Sequence, residues 1–144
     1  MQIALKQAEN AATEDEVPVG AVIVNTQTNE IIAESYNKVE RLGDPCAHAE
    51  ILAIREATNR TGKKWLIGHD IYVTLEPCPM CAYAISLARL DSLYYGAADI
   101  KGGGVDNGAR VLHQSIAMHK PEIYGGIMQS DCEKILKDFF KAKR

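Results

Sequence analysis

Apolar residues recur over the first dozen positions as Ile3, Leu5, Ala8, Ala11 and Ala12, a spacing that predicts an opening helix ending in the acidic run "TEDE". The period then changes. "VPVGAVIV" is apolar and rich in β-branched residues, so a buried strand is expected from about Val19. "NTQTNE" is a polar turn, and Ile31 to Tyr36, "IIAESY", reads as the hairpin partner. "NKVERLGDPC" lacks an apolar period and holds Gly43 and Pro45, which predicts a loop. From Ala47 to about Arg60 helix formers dominate, with Ile51, Ile54 and Ala57 at helical spacing and Gly62 as the stop.

"DIYVTLE" predicts a strand. Cys78 to Leu90 predicts a helix with Pro77 and Pro79 at its opening, where a missing amide proton costs little. "SLYYG" predicts another strand, and "AADIKGGGVDNGA", with four glycines, a mobile loop. "PEIYGGI" predicts the last strand. Ser130 with Glu133 then forms a capping box for a final helix whose apolar stripe is Ile135, Leu136, Phe139 and Phe140. Strands separated by helices of this length predict an α/β fold, a three-layer α/β/α sandwich whose sheet has at least some parallel pairs.

Composition narrows the setting. With 144 residues, 47% of them hydrophobic, one domain spanning 1–144 with an adequate core is expected. No basic leader precedes a long apolar run and no stretch reaches membrane-spanning length, so a soluble, cytoplasmic protein without a membrane partner is expected. Under reducing conditions the four cysteines are not a disulfide framework, which leaves metal binding or simple burial. The net charge of -3 speaks weakly against nucleic-acid binding. It is unevenly spread, however: Glu133 to Arg144 carries +3 and the remainder -6. Taken alone, that basic end reads as a solvated helix terminus whose cations suit the dipole.

"EPCPMC" places Cys78 and Cys81 at i and i+3 on a helix opening, so both sulfurs can reach one point. The positive end of a helix favours thiolate, the ligand form. A C-x-x-C alone leaves three options open: a redox pair, half a zinc site, or coincidence. "CAHAEI" supplies a partner in His48, with Glu50 two residues on. Residues i and i+2 leave a helix on roughly opposite sides, so these two can share a site only off the helix end. Two helices aiming their N-termini at one ion would give three protein ligands and an open fourth position, the pattern of a catalytic zinc. Cys46 is the alternative fourth ligand, if the loop before the helix turns it inward.

Two thiolates and a neutral imidazole offset the charge of zinc, so the water there is less acidified than among three histidines and needs a base. Glu50 can take that proton and return protons to the substrate and its leaving group. Without His48 beside it, Glu50 would read as a first-turn acid favourable to the dipole. His69, His113 and His119 lack such context and read as surface or core histidines, and Cys132 as a buried thiol.

"HAE" followed by "PCPMC" resembles the zinc-dependent nucleobase and nucleoside deaminases. "EVPVGAVIV", "DPCAHAEI", "IYVTLEPCPMC", "YYGAADIKGG" and "LKDFFKAKR" extend the resemblance over nearly the whole chain, in the order seen in bacterial tRNA-specific adenosine deaminases. That resemblance implies conversion of adenosine to inosine at the wobble position of a tRNA anticodon, a homodimer, and a five-stranded mixed sheet of cytidine-deaminase-like topology. It implies His48, Cys78 and Cys81 on one Zn2+ per subunit, with Glu50 as proton shuttle. It further implies Asn37 against the flipped base or its ribose, Asp99 near the target nucleotide, and Lys101 on a phosphate. The "FFKAKR" end, Phe140 included, would hold the anticodon loop. One departure is Ala98, where such proteins often carry arginine. Two other readings remain beside it: a deaminase of free guanine, cytosine or cytidine, which shares the metal motif, and a zinc-stabilised binding module, against which Glu50 speaks.

Overall fold

The computed structural model describes residues 1–144. Helix α1 (Gln2–Thr13) leads into strands β1 (Gly20–Asn25) and β2 (Ile31–Tyr36), a short helix α2 (Val39–Leu42) and helix α3 (Ala49–Thr61). Strand β3 (His69–Leu75), helix α4 (Pro79–Ala88), strands β4 (Ser92–Ala97) and β5 (Glu122–Tyr124), and helix α5 (Gln129–Ala142) follow. The sheet order is β2-β1-β3-β4-β5. β1 is antiparallel to both β2 and β3, whereas β3, β4 and β5 run parallel. This is the mixed five-stranded α/β sheet of the cytidine-deaminase type expected above.

Small residues set the layering. α1 lies on β1 so closely that a Cβ on Gly20 would sit 2.0 Å from the carbonyl oxygen of Ala4, and Ala4, Ala8 and Ala11 form its buried face. α5 reaches β4 in the same way: a Cβ on Gly96 would meet Cys132 Sγ at 2.3 Å. On the opposite face Ala49, Ala53 and Ala57 of α3, with Ala82 and Ile85 of α4, cover Ala21, Ile23, Ile71, Val73 and Leu93. Alternation along the strands delivers those five side chains to one side.

Three expectations need correction. The segment from Asn37 to Cys46 is not wholly loop, because the Glu16 carboxylate accepts hydrogen bonds from the N–H groups of Glu40 (3.1 Å) and Arg41 (2.7 Å) and so holds the first turn of α2. No local pattern encodes that remote anchor. Helix α5 starts at Gln129 after Met128 in a left-handed conformation (φ 52°), without a side-chain cap. Ser130 therefore lies inside the first turn, and its capping box with Glu133 does not form; Gln129 Nε2 donates to Glu133 Oε1 instead, at 2.6 Å. The glycine-rich segment after β4 is tied down by hydrogen bonds rather than free, and continues into a 3₁₀ turn, Val111–His113. Cys132 is buried, as expected; of the histidines read as surface or core, His69 is buried and His113 exposed. No helix is long and apolar enough to cross a membrane.

Candidate active site

β3 and β4 end on the same edge of the sheet, where antiparallel β1 begins and β2 ends. Ligands of open α/β sheets bind in the crevice beyond the carboxyl ends of parallel strands. Here α3 and α4 both start at that edge. Their N-caps are His48 (φ -72°, ψ 151°) and Cys78 (φ -66°, ψ 170°), whose extended backbones turn each side chain off the helix end, and Pro79 opens α4 at its first position.

His48 Nδ1 lies 3.6 Å from Cys78 Sγ and 3.6 Å from Cys81 Sγ, and all three donor atoms fall within 4.8 Å of one another. A tetrahedral zinc with Zn–S of about 2.3 Å and Zn–N of about 2.0–2.1 Å separates nitrogen from sulfur by about 3.6 Å. The donor set therefore fits zinc in distance, and two soft sulfurs with an imidazole fit it in chemistry. Cys46 is exposed and outside the cluster, so these three side chains leave the fourth corner to a non-protein ligand.

Glu50 occupies the second position of α3 and is 4% exposed. Burial pushes its carboxyl up to about 7, and the nearby Cys78 charge adds to this, while its own backbone N–H and His48 oppose it. A hydrogen bond from Cys81, with help from His48, draws the Cys78 thiol down to about 4. The same bond and burial push Cys81 up.

Asn37 spans the site's edge: its Oδ1 accepts from the Ala49 N–H at 2.9 Å, and its Nδ2 donates to the Val17 carbonyl at 3.2 Å. A cavity of about 980 Å³ opens over His48 and Glu50, and Asn37, Asp99, Phe139, Phe140 and Lys143 line it. Lys143 pairs with Asp15 and ties the end of α5 to the turn after α1. The structure thus gathers His48, Cys78, Glu50, Asn37, Asp99 and Phe140 around one cavity, with Cys81 buried behind it against His48. Lys101 is exposed and does not line it.

Sequence reasoning passed over Glu76. It is 2% exposed and accepts from the N–H groups of Asp99 (2.9 Å), Val105 (3.3 Å), Asp106 (2.8 Å) and Asn107 (2.9 Å), and from Asn107 Nδ2 (2.8 Å). Burial alone would push its carboxyl up; the bonds from Asn107, Asp99 and Asp106 outweigh it and hold the group below its usual range. The signal was present in "VTLEPC": an acid directly following a buried strand needs donors from elsewhere in the chain.

The model of the cytidine and deoxycytidylate deaminase zinc-binding region matches residues 1–97. A tRNA-specific adenosine deaminase of Agrobacterium fabrum is 49% identical over 144 residues, covering 100% of this chain and 93% of the relative. That of Rickettsia bellii is also 49% identical, covering 100% and 99%. A solved structure from work on A-to-I editing by tRNA:A34 deaminases at the wobble position of transfer RNA superposes with a TM-score of 0.91. It has 48% identity and covers 94% of this chain and 97% of its own. A guanine deaminase from Bacillus subtilis gives a TM-score of 0.63 at 39% identity, covering 67% and 61%. The chain belongs to the zinc-dependent cytidine and deoxycytidylate deaminase family, in its branch of tRNA-specific adenosine deaminases.

Proposed function

We propose that this protein hydrolyses adenosine to inosine at the wobble position of a tRNA anticodon. The observation that carries the chemistry is the triangle of His48, Cys78 and Cys81, with donor separations of 3.6 Å and a buried carboxyl beside an open corner. Bound there, zinc supplies the Lewis acidity that makes water a competent nucleophile near neutral pH. Glu50 does the proton work. Its carboxylate takes a proton from the attacking water and delivers it to N1 of the purine as C6 gains the new C–O bond; it then takes the proton of the added hydroxyl and passes it to the amine, so that the C6–N bond breaks, ammonia leaves and the C6 carbonyl forms. A carboxyl whose burial raises it toward neutrality suits both halves of that cycle.

The remaining roles rest on placement. Asn37 lines the cavity and offers its second amide N–H to the base or ribose. Asp99, also in the cavity lining, suits a contact near the target nucleotide, and Phe140 offers a stacking face to an unpaired base. Lys101, exposed outside the rim, suits a phosphate. The acids at the cavity mouth do not oppose RNA as strongly as their number suggests, since Glu14 pairs with Arg41 at 3.0 Å and Asp15 with Lys143. The chain acts as one catalytic domain, in the cytoplasm.

A homodimer is supported by α4, whose outward side carries Met80, Tyr83, Ala84 and Leu87 at helical spacing, with Leu87 60% exposed. A second reading, deamination of a free base, is favoured by the likeness to the Bacillus subtilis guanine deaminase. A cavity of about 980 Å³ far exceeds one base, which supports an unstacked nucleotide with its neighbours. The deciding assay incubates the protein with an anticodon stem-loop bearing a wobble adenosine, and separately with guanine, cytosine and cytidine. Inosine from the stem-loop alone is the expected result; ammonia released only from a free base would replace this reading with the second.

A further inference from the structure

Glu76 takes no part in the chemistry above, yet its buried carboxylate collects five N–H donors from one loop. Those donors sit at the two ends of the glycine-rich segment: Asp99 at its start, and Val105, Asp106 and Asn107 at its far side. The Gly104 N–H also donates to the Pro77 carbonyl at 2.8 Å. A Cβ on Gly103 would lie 2.7 Å from Glu76 Oε1, and one on Gly104 2.6 Å from Pro79. The glycines thus permit close approach to the turn that bears Cys78, and what looked like freedom in composition is contact in space. Asp106 adds a second tie, accepting from Tyr95 Oη at 2.6 Å.

We infer that Glu76, itself among the residues lining the cavity, is a positioning residue for RNA recognition: by gripping both ends of the 99–107 loop, it holds Asp99 on the cavity rim in one conformation and so fixes how the nucleotide beside the target enters. The inference rests on the proposed tRNA substrate. It also implies that this loop is a fixed rim and not a lid, as an open site for a macromolecule requires.

The test is Glu76→Gln in the full, zinc-loaded protein. Glutamine keeps the shape but turns an NH2 toward amides that need an acceptor. Amide exchange at Asp99, Val105, Asp106 and Asn107 should speed up by at least about tenfold, while β3 and α4 keep their protection and zinc stays at one per chain. With the wobble-adenosine stem-loop, KM should rise about tenfold and kcat change by less than about twofold, a split that general destabilisation would not produce. Asn107→Ala, which removes one side-chain donor and spares the carboxylate, should raise KM in the same direction by less, and decides the matter should Glu76→Gln fail to fold. Unchanged exchange at those four amides, or faster exchange with unchanged KM, overturns the inference. A wild-type protein inert to the stem-loop would overturn the functional reading and the recognition half of this one, while exchange would still decide whether Glu76 holds the loop.

Discussion

At the scale of single residues, the proposed mechanism gives metal binding and proton transfer to different side chains. Glu50 lies beside the three donors without being one of them, so Glu50→Ala should retain about one zinc per chain and lose at least about 100-fold in kcat, the range expected for a missing acid–base group. Cys81→Ala should instead lose the metal, because two remaining ligands do not complete a protein zinc site. Metal analysis and single-turnover deamination on the two variants separate the roles; a Glu50→Ala protein with near-normal turnover would remove the proton shuttle. The three donor residues were legible in "HAE" and "PCPMC" because ligand chemistry demands those residue types at a short spacing. Glu16 and Glu76 were not, since their partners lie 23 to 31 positions away, and a sequence does not show which backbone amides a buried acid will find.

At the scale of elements, the hairpin and the α3 and β3 boundaries followed hydrophobic period and glycine stops, while the loops did not follow composition. Glu16 holds the first turn of α2 from afar, and Glu76 accepts five hydrogen bonds from the glycine-rich loop. Glycine in β1 carries a different message. Gly20 lets α1 approach the sheet, and a methyl group there would lie 2.0 Å from a backbone oxygen that no rotamer can move. Gly20→Ala should therefore shift α1 outward and cost about 1–3 kcal/mol, the usual range for overpacking. Urea denaturation checks this; a loss below about 0.5 kcal/mol would mean that α1 yields freely.

At the scale of the whole molecule, one edge of the sheet collects the functional parts. Antiparallel β1 and β2 and parallel β3 and β4 all place their relevant ends there, and two helix N-termini close the site from above. The apolar stripe of α4, with Leu87 and Tyr83, faces outward, and it is the surface on which the proposed self-association rests. Leu87→Lys should weaken self-association by more than about tenfold, as removal of a central apolar anchor does, measured by sedimentation equilibrium. An unchanged dimer would move the interface elsewhere.

The most direct check on the central claim is X-ray absorption at the zinc edge of the purified protein. Two sulfurs at about 2.3 Å, one imidazole nitrogen at about 2.0–2.1 Å and one further light atom not supplied by the chain are the expected shell. A shell of three or four sulfurs, or a second histidine in the fourth place, would contradict it.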